Sequence, residues 1–141
     1  MAKFNLDSNE DEVADFLLVG ICSHAKIYRL CWSVNQAMNL KLVNSNKSID
    51  LIDKKKKTKQ SFEIYNYMDE ESRVNFHIIP NKIPSGFLLP EFKHIDYIML
   101  LNENILINVN DIIIRLRQSD QVLTAFEIKT EDVKSIENLL F

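Results

Sequence analysis

The stretch Asp15-Phe16-Leu17-Leu18-Val19-Gly20-Ile21-Cys22 is a near-continuous apolar run that stops at Ser23. A strand with one wet face alternates apolar and polar residues. A run without alternation suits a central strand covered on both faces. Ser23 is placed to N-cap a helix over about His24 to Asn39. Ile27, Leu30, Cys31, Val34 and Met38 recur at helical spacing and face the core. Asn39 can close that helix, because Asn tolerates a left-handed backbone.

Outward from this unit, Leu40 to Val43 reads as a second strand. Asn44 to Ser48 reads as a turn, and Ile49 to Asp53 extends the pairing. Ser61 to Tyr67 and Arg73 to Ile79 alternate as the two strands of a hairpin, joined by the acidic segment Met68 to Ser72. Pro80 to Pro90 is a loop with all three prolines and one of the two glycines. Ile95 to Leu101 is a buried strand. Asn108 or Asn110 caps a helix through about Gln118, with Ile112, Ile113 and Leu116 inward. Gln121 to Ile128 is the last strand. Thr130 caps a short C-terminal helix, with Glu131 and Asp132 favourably placed in its first turn and Val133, Ile136 and Leu140 docking it. This order predicts an α+β fold: a mixed, mainly antiparallel sheet with helices on one face. The β-α-β, hairpin, β-α-β series with a final helix resembles a ferredoxin-like sandwich with right-handed crossovers.

The 141 residues, 46% of them apolar, suffice for one cored domain over 1–141. Two glycines and three prolines leave little material for flexible linkers. The net charge of -3 and a pI near 5.6 speak against a nucleic-acid partner. The basic run Lys54-Lys55-Lys56-Lys57-Thr58-Lys59 has no interleaved aromatics. It reads as a solvated loop tip rather than a contact for RNA or an anionic membrane. The acidic N-terminus, with Asp7, Glu10, Asp11, Glu12 and Asp15, is unlike a secretory signal. Phe16 to Cys22 is too short to span a bilayer. Cys22 and Cys31 sit among apolar neighbours and read as buried free thiols. A cytoplasmic protein without membrane contact is the expectation.

The stretch Leu89-Pro90-Glu91-Phe92-Lys93-His94-Ile95-Asp96-Tyr97 joins a rigid turn to a strand. Pro90 holds Leu89 extended and presets one tight helical turn, in which Glu91 can cap backbone donors. One reading makes this a structural corner, with Glu91 and Asp96 tying down backbone or pairing with Arg29, Arg115 or Arg117. The other makes Glu91, His94 and Asp96 an acid/base cluster, with Ser85 the one nearby hydroxyl nucleophile. Glu91 and His94 share a face only if the turn is helical.

This stretch resembles the signature of the bacterial IPExxxVDY family. Leu89-Pro90-Glu91 stands for Ile-Pro-Glu, and Ile95-Asp96-Tyr97 for Val-Asp-Tyr. The helix segment His24 to Asn35 and the ending Glu137-Asn138-Leu139-Leu140-Phe141 also look like that family's. The family has no established activity, so the resemblance carries over no catalytic residue.

On the first helix, Tyr28 and Trp32 lie four residues apart beside the core stripe, with Asn35, Arg29 and Gln36 near them. Tyr, Trp and Arg dominate binding hot spots, so this face could meet a protein partner or a second copy. The competing reading buries both rings under the loop Asn81 to Leu88. His24 at the helix start reads as a capping or packing residue, and His77 has no metal-spaced companion. Three histidines could meet only through the fold. No Walker loop, GxGxxG, HExxH, GxSxG or CxxC motif occurs, and no cofactor or metal is implied. The favoured function is a non-enzymatic interaction module. The alternatives are a small enzyme or ligand-binding domain using Glu91, His94 and Asp96, and an RNA-associated factor using Lys54 to Lys59 with Arg73 and Lys82.

Overall fold

The computed structural model describes residues 16–102 and 107–139. β1 (Phe16–Cys22) lies between β7 (Tyr97–Asn102) and β8 (Thr124–Ile128), antiparallel to both. Leu18 stands opposite Leu100 on one side and Ile128 on the other. With β4 (Val74–Pro80), β3 (Thr58–Asp69) and β2 (Val43–Asp53), they form a six-stranded sheet in the order β2-β3-β4-β7-β1-β8. Every described pairing is antiparallel, so the mainly antiparallel sheet of the sequence reading contains no parallel pair among these residues. β5 (Lys82–Ile83) and β6 (Gly86–Phe87) form a separate miniature hairpin. No described helix is long and apolar enough to cross a membrane.

Two helices, α1 (Ile27–Met38) and α2 (Val109–Arg117), cover one face. Ile27, Leu30, Val34, Ile112 and Leu116 pack there against Val19, Ile21, Ile78, Met99 and Leu101. Asn39 ends α1 in the left-handed conformation, at φ 55° and ψ 48°. Asn108 caps α2 by accepting the Asn110 N–H. Both cysteines are free; burial, then the Glu63 charge, pushes the Cys31 thiol up to about 12.

The opposite face is covered without an α-helix. Leu18, Phe62, Ile79, Ile98 and Leu100 meet Leu88, Leu89, Ile95, Val133 and Leu139. Those last five residues come from the Asn81–Ile95 connection and the C-terminal segment. The Asn138 amide donates to the Leu88 carbonyl (2.9 Å), and the Gln60 amide to that of Ser85 (2.6 Å). Gly20 admits this layer closely, since a Cβ there would lie 2.9 Å from Ile95 Cδ1. Asn81, fully buried, organises the connection. Its amide donates to the carbonyls of Phe92 (2.8 Å) and Ile95 (3.0 Å), and its side-chain oxygen accepts the Leu89 N–H (2.7 Å). Its backbone N–H donates to Asp96 O, and its carbonyl accepts the Leu88 N–H.

Several boundaries differ from the sequence reading. α1 starts at Ile27, not His24, with Lys26 at the N-cap and no side-chain cap. Ser23 instead accepts the Ala25 N–H (3.1 Å) and donates to the Gln121 carbonyl (2.5 Å). The second strand is Val43–Asp53, and Asn44 to Ser48 is an irregularity within it rather than a turn between strands. Gln121 to Leu123 precedes β8. The C-terminal helix is two short 3-10 turns, Thr130–Asp132 and Ile136–Leu139. The acidic residues Asp7 to Asp15, and Leu140 and Phe141, lie outside the described residues.

Replacing Asn81 by Ala would strand the buried Leu89 N–H and the buried Ile95 carbonyl, while the Phe92 carbonyl keeps the Ile95 N–H. The expected loss is about 2 kcal/mol or more, since unpaired buried groups cost about 1–3 kcal/mol each. Urea unfolding measures this, and an unchanged midpoint would show that the carboxamide is dispensable.

Candidate functional site

Leu89 is extended (φ -116°, ψ 90°), and Pro90 opens the 3-10 turn Pro90–Phe92, as the sequence predicts. Glu91 accepts the Ser135 N–H (2.8 Å) and hydroxyl (2.7 Å), which ties the signature to the C-terminal segment. Burial pushes the Glu91 carboxyl up, but the hydrogen bonds from Ser135 and the backbone outweigh it and leave it below its ordinary value. Asp96 accepts the Ser23 N–H at 2.9 Å with one oxygen and meets Lys82 Nζ at 3.1 Å with the other. The Tyr97 hydroxyl donates to the Ala25 carbonyl (2.5 Å), and burial with the Asp96 charge pushes the phenol up to about 12. Asp96 and Tyr97 thus clamp the connection between β1 and α1. None of the candidate arginines pairs with Glu91 or Asp96; Arg117 Nε donates to the Ala125 carbonyl instead.

The proposed acid/base residues are not brought together. Glu91 is held by Ser135, Asp96 by Ser23 and Lys82, and the exposed His94 ring stacks on Phe126 (centroids 6.0 Å apart, planes at 8°). Among the described residues no hydrogen bond or ion pair joins any two of the three side chains. Lys93 sits over the Phe87 ring, 5.9 Å from its centroid, so the miniature hairpin is tied here as well. No group of three or more His, Cys, Asp or Glu among the described residues could hold a metal, so His24, His77 and His94 do not assemble one.

The outer face of α1 differs. Tyr28 is 60% exposed and Trp32 64% exposed. They are not buried under Asn81 to Leu88: that loop packs Leu88 on the other face of the sheet, and its residues Lys82, Ile83 and Pro84 line a groove beside Tyr28 without covering it. Arg29 is exposed beside them. Asn35 is not part of the free face. Its amide donates to the Leu42 carbonyl and its oxygen accepts the Leu42 N–H, which fixes the path from α1 to β2. A groove of about 500 Å³ runs beside the start of α1, bounded by Tyr28, Arg29 and His24 on one side and Asp120 and Leu123 on the other.

Lys54 to Lys57 form the exposed turn between β2 and β3. Asp53 Oδ1 accepts the N–H of Lys55 and Lys56, while Lys59 pairs with Asp50 at 3.5 Å. Arg73 lies at the far end of the 12-residue β3, roughly 40 Å of extended strand away. Lys82 is committed to Asp96. Arg73 is therefore remote from the lysine turn, and Lys82 is engaged by a carboxylate of the fold.

Sequence reasoning missed Asn81, Ser135 and Leu123, and did not foresee the pairing of Lys82 with Asp96. None belongs to a periodic pattern or a motif, and each matters only through a contact distant in sequence. No family model matches the chain, and no curated protein or solved structure matches it either.

Asp96→Ala leaves the Ser23 N–H and Lys82 without their partner, and a loss of about 2 kcal/mol is expected. Asp96→Asn, which keeps an acceptor, should lose less. Equal losses in urea unfolding would remove the capping role. Glu91 is depressed in the folded state, so its contribution is present above the ordinary value of 4.5 and is lost as pH falls through the folded value. The stability difference between the native chain and Glu91→Gln should therefore be constant above about pH 5.5 and shrink in acid. A difference that grows in acid would reverse the assignment.

Proposed function

We propose that this chain is a non-enzymatic protein-interaction module that presents the outer face of α1 to a protein partner. The observation that carries this is the exposure of Tyr28 and Trp32 on adjacent turns of a helix whose other face is fully packed. Large aromatics supply much of the energy at protein interfaces, and Arg29 adds a third residue of hot-spot type. The carboxylates of the signature support the same reading, because each is engaged in holding the fold.

The proposal extends to kinship and location. The signature residues, all in structural roles, support membership of the IPExxxVDY family. The order β8-β1-β7-β4, with α1 following β1 and α2 joining β7 to β8, supports a ferredoxin-like scaffold to which the β2–β3 ribbon is added. The proposed location is the cytoplasm.

The test is an affinity pull-down from cells of the source organism with the native chain and with Trp32→Ala. A partner recovered at stoichiometric yield should be lost in the variant. Unfolding of the variant should change by less than about 0.5 kcal/mol, as at other exposed sites. Retention of the partner by a folded variant, or collapse of the variant, would overturn the role of this face.

A further inference from the structure

The groove beside α1 combines exposed apolar walls with two cations set against one carboxylate. Tyr28 on one wall and Leu123 on the other are 60% and 62% exposed. An apolar side chain entering between them would cover both. Lys26 and Arg29 stand on the same rim, and neither makes a hydrogen bond or ion pair through its side chain with the described residues. The chain has 20 acidic residues, yet Asp120 supplies the groove's one carboxylate. The result is a locally cationic rim on a molecule of net charge -3.

Resting on the interaction role proposed above, we infer that this groove receives an acidic segment of a partner protein carrying an apolar anchor side chain. The anchor seats between Tyr28 and Leu123, and the flanking carboxylates meet Lys26 and Arg29. Charge complementarity selects this occupant. Exposed charges act within about 8 Å at physiological salt, so the rim governs local docking while the distant acidic surface is screened. A second copy packed by two-fold symmetry through this face would set each cationic rim against its equivalent. A nucleic acid gains affinity by neutralising many phosphates along its length, whereas this groove offers two cations, Lys26 and Arg29, that are unpaired among the described residues.

The experiment places a benzophenone photo-crosslinker at Leu123 of the full chain in cells of the source organism and sequences the attached peptide. The expected product is a single partner cross-linked through a peptide rich in Asp and Glu. Arg29→Glu should lower its yield about tenfold, while Arg29→Lys should largely preserve it, since rim charges act on association. A neutral or basic peptide, a cross-link between two copies, a nucleotide adduct, or a yield indifferent to Arg29→Glu would each overturn the inference. If no cross-link forms while the pull-down still yields a partner sensitive to Trp32→Ala, the groove is the wrong site. If both experiments are empty, the interaction role itself fails.

Discussion

The structure depends on covering β1 and β7 from both sides. They are neighbours in the middle of the sheet, and nearly every side chain on them is buried. The two helices cover one face. The other is covered by irregular chain, whose N–H and C=O groups would be left without partners away from water. Asn81 answers that constraint. A carboxamide both donates and accepts, so one side chain satisfies Leu89, Phe92 and Ile95, while its own backbone joins Asp96 and Leu88. Leu88, Leu89 and Ile95 can then stay fully buried on a segment with little regular structure.

This accounts for what was legible in the sequence. β1 and α1 were readable because burial imposes a period, or its conspicuous absence, on consecutive residues. The β3–β4 hairpin and α2 were readable for the same reason. The second layer was not, because irregular chain imposes no period. Asn44 to Ser48 read as a turn because it is polar, yet an edge strand can carry polar residues and an irregular register while still pairing. The start of α1 slipped by three residues because Ser23 does cap, but it caps the Ala25 N–H within the connection and not the helix itself. At the candidate site, the sequence placed Tyr28 and Trp32 on a helix and could not say which neighbours would cover them. Asn35, on the same helix, turned inward to the chain that follows.

The stretch Leu89 to Tyr97 is a three-way junction. Its carboxylate at Glu91 reaches the C-terminal segment, and Asp96 and Tyr97 reach the corner between β1 and α1. A catalytic acid or base needs a carboxylate within reach of a reacting group. Here both carboxylates already accept backbone N–H donors, and the imidazole between them in sequence lies flat on Phe126. Acidic residues close in sequence therefore serve separate attachments.

The surfaces left over narrow the choice of interface. A sheet edge can recruit another chain by strand pairing, and this sheet has two edges, β2 and β8. β8 is short, at five residues, and leads directly into the C-terminal segment that packs on the sheet. β2 is long, but its register breaks between Asn44 and Ser48, and it ends in four consecutive exposed lysines. Irregularity and lysine are the usual means by which exposed edges resist pairing. The face of α1 has no comparable protection: among the described residues no loop covers its rings, and the cations beside them, Lys26 and Arg29, have no side-chain partner. Among the described surfaces, that is where the fold leaves two large aromatic rings exposed on adjacent turns of one helix.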